Sequence, residues 1–134
     1  MLTALKAGFA YFGVVFGAGF ALGVLRTLVV IPRVGELTAV LLELPVILSL
    51  SWIASRWLVA TFAVDGLSAR LMMGAVAFAL TMAGEIGVSV LALGRTVGEH
   101  FASFQSGLAL LGLAAQIVFG LIPAVQLSAR VKRD

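Results

Sequence analysis

The sequence predicts an all-α integral membrane protein, a four-helix bundle of antiparallel, up-down-up-down spans with both termini on the same side. Three observations predict it. Of 134 residues, 62% are hydrophobic and 11% charged, and the mean hydropathy is +1.18, so there are too few polar residues to cover a water-soluble domain of this size. The apolar residues gather in four runs, each longer than the ~20 residues a helix needs to cross ~30 Å of hydrocarbon. Within each run they are continuous, without the period-two alternation of a membrane strand.

The first span covers about residues 5–31, from Leu5 to Ile31. Lys6 precedes it, as a basic residue precedes a cleaved signal segment, but the run is too long for one, and Arg26, Pro32 and Arg33 leave no clean small-residue cleavage site. The second span covers about 37–60, the third 71–93 and the fourth 101–125. Pro32 to Glu36, Val64 to Arg70 and Gly94 to His100 separate them, short segments with the charges and turn formers of helical hairpins. No repeat, low-complexity tract or soluble domain interrupts the chain, so 1–134 reads as one transmembrane domain.

Basic residues orient the spans. Lys6, Arg56, Arg70, Arg130, Lys132 and Arg133 fall on one side, Arg33 and Arg95 on the other with Arg26 near its end of the first span and Glu36 and Glu99 close by. The excess lies with the termini, which predicts both in the cytoplasm. Trp52 and Trp57 fall at the inner end of the second span, where an aromatic belt belongs. The net charge of +3 is explained by orientation and anionic headgroups, so the expected partner is the lipid bilayer and no nucleic acid is needed.

Several chemistries drop out. With no cysteine there is no disulfide, thiol relay or thiolate metal site. His100 is the only histidine and sits in a loop, so one chain cannot ligate a haem through two histidines. No glycine-rich phosphate loop follows a strand, and no Ser-His-Asp set assembles within the apolar runs. No cofactor, metal or catalytic residue is expected. Glu99, His100 and Gln105 read as solvated loop residues, and Ser49, Ser51 and Ser55 as hydroxyls bonded back to their own helix. Tyr11 reads as an anchor in the inner third of the first span or a hydrogen bond across helices.

The glycines read as packing residues. Gly13 and Gly17, and Gly19 and Gly23, form small-xxx-small pairs on the first span; Ala79, Ala83 and Gly87 form a set on the third, and Gly112, Gly120 and Ala124 recur on the fourth. Small residues four apart let helices approach closely in lipid. The same spacing serves contact within the chain, a homo-oligomer or a larger membrane complex.

Three ionisable residues lie inside the apolar runs. Arg26, Glu43 and Glu85 fall roughly 9, 12 and 13.5 Å below the outer ends of their spans at ~1.5 Å per residue, in one layer. An unpaired charge there costs on the order of 3 kcal/mol or more, so such groups face the interior and pair. Arg26 is the natural partner of Glu43, and Thr81 and Gln116 are the supporting polar residues. The cluster reads either as a knot fixing helix register or as a substrate, ion or proton site open to the outer face.

The residues Gly19 to Arg26, then Pro32 and Gly35, then Leu42-Glu43-Leu44-Pro45 resemble a pattern in an uncharacterised family of small four-span bacterial inner-membrane proteins. The resemblance covers the first half of the chain and implies a bacterial inner membrane, with no activity attached. Size and span number are similar to those of the small multidrug resistance transporters, whose essential glutamate lies on the first span; here Arg26 stands there and the glutamates lie on the second and third. Three functions follow as expectations: first a structural or accessory subunit with a buried Arg/Glu layer, then a small ion- or proton-coupled carrier using Arg26, Glu43 and Glu85, and last a membrane enzyme.

Overall fold

The computed structural model describes residues 2–92, 94, 96–102 and 107–133, without the side chains of 100, 101, 108 and 128–133. Arg95, Gln105 and the side chains of His100, Arg130, Lys132 and Arg133 therefore lie outside the described residues. The described residues are helical apart from short turns, with no strand among them. Four of the helices are long and apolar enough to cross a membrane, over Leu2–Val34, Glu36–Phe62, Leu67–Ala92 and Ala109–Leu127.

Helix α1 runs Leu2–Val34. It is α-helical to Leu25, turns π-helical over Arg26–Val30 and returns to α over Ile31–Val34. That return puts Pro32 in the first turn of a helical segment, where the ring and missing N–H are tolerated. The turn expected over 32–36 thus shrinks to Gly35 alone. Its φ of 85° and ψ of 165° lie where essentially only glycine is comfortable. Helix α2, Glu36–Phe62, starts at the next residue and continues through Pro45.

Ala63 caps α2 in the left-handed conformation, and Gly66 repeats the backbone of Gly35 with φ 86° and ψ 157°. Helix α3, Leu67–Ala92, is α-helical to Gly87 and π-helical over Val88–Ala92. The second turn is shorter than the loop expected over 64–70, and Arg70 lies inside α3. A short helix α4 covers Val97–Ala102 and α5 runs Gly107–Arg133 through Pro123.

Helix α1 packs against α2 and α3, and α5 packs against the same two, so the four long helices form a ring in the order α1, α2, α5, α3. The core is off-centre. Ala4, Ala7, Tyr11, Ala54, Leu58, Val64, Met73, Ala77 and Phe119 form one buried cluster near the Ala63–Gly66 turn, hereafter the closed end. Toward the Gly35 turn the burial thins, and no residue of Arg26–Val30 is buried.

Glycine sets the close approaches at the closed end. A Cβ on Gly74 would sit 1.8 Å from the Gly120 carbonyl oxygen, and one on Gly8 would sit 2.9 Å from the Met73 carbonyl and Val76. Farther along, beside Glu85, a Cβ on Gly84 would meet Phe16 at 3.0 Å. The small-residue pairs picked from the sequence behave differently. Gly13, Gly17, Gly87 and Gly112 have nothing within 4 Å of a Cβ, Gly19 touches only Ile47 and Gly23 only Arg26, and Ala79 and Ala83 are exposed. Of the residues picked on the fourth span, Gly120 does pack closely, its Cβ position 3.3 Å from Phe78, and Ala124 is buried; Gly8, Gly74 and Gly84 supply the other close contacts within the chain.

Candidate functional site

Arg26 and Glu43 stand nine residues before and eight after Gly35, so a sharp reversal at Gly35 brings them level. Arg26 Nη1 donates to Glu43 Oε2 at 2.5 Å, tying α1 to α2. Arg26 occupies the first residue of the π-helical stretch, a distortion frequent at functional sites. The pair is not sealed: its side chains keep 33% and 15% of their surface exposed. Across the ring, Gln116 Nε2 on α5 donates to Glu85 Oε1 on α3. Gln116 Oε1 is buried and has no hydrogen-bond partner among the described residues. Thr81 donates to the Ala77 carbonyl of its own helix at 2.8 Å, so its hydroxyl proton is committed away from Glu85.

These two ties divide the open half of the bundle into two helix pairs, α1 with α2 and α3 with α5. Between the pairs lies an open cavity of about 1140 Å³ walled by all four long helices. Ile31, Glu36 and Ala109 stand at its mouth; Arg26, Glu43, Glu85 and Gln116 line its middle; Val15, Ser51, Thr81 and Phe119 form its floor. The rest of the lining is mainly apolar, including Phe16, Phe20, Val24 and Leu44. The three ionisable residues of the sequence therefore line one cavity, and Thr81 and Gln116 line it with them.

Below the floor the helices are sealed by contacts that sequence reasoning missed or left open. Pro123 has no N–H for the carbonyl of Phe119, four residues earlier. The Tyr11 hydroxyl donates to that oxygen at 2.8 Å, and the Tyr11 and Phe119 rings lie 4.3 Å apart. Tyr11 thus bonds across helices. Ser51 donates to the Ile47 carbonyl at 2.7 Å, as expected of a helical serine. Ser55 does not bond back; it donates to Gln126 Oε1 at 2.8 Å, and Gln126 Nε2 donates to the Trp52 carbonyl at 2.8 Å. The neighbouring amide offers a better-placed acceptor than a carbonyl already used by its own helix.

Arg70, a loop cation in the sequence reading, is 4% exposed. Its Nε donates to the Val64 carbonyl at 3.3 Å and its Nη1 to the Pro123 carbonyl at 3.2 Å. A guanidinium carries five donors and no acceptor, so backbone oxygens at helix ends and turns suit it. The signals for this set were a proline within the fourth apolar run and a glutamine three residues after it. Glu99 is exposed, its backbone N–H held by Thr96 Oγ1 at 3.1 Å, a local helix cap remote from the cavity lining.

No protein-family model matches the chain, and neither a curated protein nor a solved structure matches it. The cavity and its residues are the basis for a functional reading.

Proposed function

We propose that the chain is a small multi-pass carrier of the bacterial inner membrane, coupled to an ion or proton, that takes its solute at the layer of Arg26, Glu43 and Glu85. One observation carries the reading. A cavity walled by all four long helices reaches that layer from one end, while the other end is closed by Tyr11, Phe119, Gly74 and Gly120. One-sided access to charged groups at mid-depth is what a carrier needs in either of its two resting states, and irregular helix at that depth is tolerated where it lines a cavity.

The up-down-up-down topology belongs to the same proposal. Along α1 and α3 contacts advance together, Gly8 with Val76 and Phe16 with Gly84. Between α3 and α5 they run in opposite order, Gly74 with Gly120 and Glu85 with Gln116. This order supports antiparallel neighbours in sequence with the termini at the closed end, and the basic residues Lys6 and Arg56 favour the cytoplasm for that end.

The chain has no cysteine, so single cysteines test the carrier directly. Gly112→Cys, in the cavity wall, is expected to react with a membrane-impermeant maleimide from outside, and Ala54→Cys, buried at the closed end, to react slowly from inside. In a chain carrying both cysteines, modification at one site should suppress reaction at the other. Reaction of Gly112→Cys without any reaction of Ala54→Cys would describe a static bundle and defeat the carrier.

A second reading, a structural or accessory subunit, is favoured by Gly13 and Gly17. Both are exposed with nothing within 4 Å, and small residues four apart suit a second helix from another copy or another subunit.

A further inference from the structure

We infer that the solute of the cavity is an amphiphile with a primary-ammonium head and a phosphate, an ethanolamine phospholipid, which enters sideways from the bilayer. The inference rests on the carrier reading above and names its ligand.

Access comes first. The ties Arg26 to Glu43 and Gln116 to Glu85 lie within helix pairs, while Tyr11 to Phe119, Ser55 to Gln126 and Gln126 to Trp52 join the pairs at the closed end. The cavity between the pairs is continuous with the outer surface: Phe20, Val24 and Leu28 line it and are also 57%, 45% and 71% exposed. In a bilayer that outer surface meets acyl chains. A ligand that keeps its tails in lipid and swings its head between the pairs needs no wholly aqueous path. At about 1140 Å³ the cavity exceeds the roughly 300–1,000 Å³ of drug-sized sites, which suits a headgroup with the upper parts of its chains.

The head is chosen by hydrogen-bond chemistry. Glu85 has an amide for a partner, and no cation pairs with it among the described residues. Gln116 Oε1, beside it, is a buried acceptor with no donor among the described residues. Two neighbouring groups therefore ask for positive charge and N–H donors together. A primary ammonium supplies a charge and three donors; a trimethylammonium supplies the charge alone; a glycerol head supplies neither charge nor N–H. On the facing pair, Arg26 spends Nη1 on Glu43 and keeps 33% of its side chain exposed. The rest of the guanidinium fork suits a phosphate oxygen. Carboxylate on one wall and guanidinium on the other match the two charges of an ethanolamine phosphate.

The test is native mass spectrometry of the purified chain titrated with dioleoyl phosphatidylethanolamine, phosphatidylcholine and phosphatidylglycerol, identical in their tails. The expected result is retention of the ethanolamine lipid about tenfold above the other two, a difference near 1.4 kcal/mol. Glu85→Gln should abolish the preference, and Glu85→Asp should keep part of it. Equal retention of ethanolamine and choline lipids by the parent chain, preference for phosphatidylglycerol, or a preference that survives Glu85→Gln would each overturn the inference. The parent comparison needs no variant to fold. If Gly112→Cys is labelled and Ala54→Cys answers it while lipid retention ignores the head, the carrier stands and the ligand class falls; without that labelling, the carrier reading falls first.

Discussion

The contact between Tyr11 and the Phe119 carbonyl turns on an absent proton donor. Pro123 removes the N–H that would satisfy that oxygen, and a hydroxyl from α1 replaces it. The two substitutions must therefore interact. Tyr11→Phe is expected to lower stability by about 1 kcal/mol in the parent, within the range of interhelical hydrogen bonds in membranes. In a Pro123→Ala background, where the helix supplies its own donor, the same change should cost much less. Unfolding in mixed micelles, read as a double-mutant cycle, measures the difference; equal costs in both backgrounds would refute the explanation. At the other end, Glu43→Gln should cost roughly 1–2 kcal/mol, because Arg26 loses a charged partner but can still reach water through the open cavity. These residues were unequally legible. Arg26 and Glu43 could be paired from the sequence because they stand at nearly equal offsets from a turn, and a reversal at Gly35 brings equal offsets level. Arg70 and Gln126 could not, because each sits at the edge of an apolar run, where a polar side chain ordinarily faces water.

Among helices, the two kinds of glycine make opposite predictions. Gly74→Ala drives a Cβ into the backbone of α5 and should cost about 3 kcal/mol. Gly13→Ala meets open space and should gain roughly 0.5–1 kcal/mol from helix propensity in the isolated chain. A loss at Gly13 that depends on protein concentration would instead report a second copy packed on that face. The sequence could not separate these two classes. A helix in lipid is apolar all round, so no contrast in polarity marks the face that meets a neighbour. The spacing of small residues found candidates and left their direction open. The turns offer a cleaner site. Ala63 holds φ at 51°, a conformation that costs an L-residue about 1 kcal/mol or more, so Ala63→Gly should stabilise the chain by about that amount in the same unfolding assay.

For the molecule as a whole, hydropathy gave the four long helices and missed their splay. The lining of the cavity and the surface that meets lipid are both apolar, so no window average distinguishes a closed bundle from one open at an end. The splay makes the two ends chemically different. Cysteines at Arg33 and at Asp65 are expected to react with an impermeant reagent from opposite faces, with Arg33→Cys reached from outside the cell. Reaction of both from one face would contradict the antiparallel arrangement of α1 and α2.

The polar ties of the open half stay within α1 with α2 and within α3 with α5, while the hydrogen bonds joining these pairs gather at the closed end around the Ala63–Gly66 turn. Each half of the chain thus holds its own charged group and its own internal fastening. Two fragments divided at Asp65 and Gly66 and produced together should reassociate through Tyr11, Ser55, Phe119 and Gln126, as separately encoded subunits would. The covalent turn then acts as a tether raising local concentration, and the joint it spans has the make-up of a dimer interface that happens to be written in one reading frame.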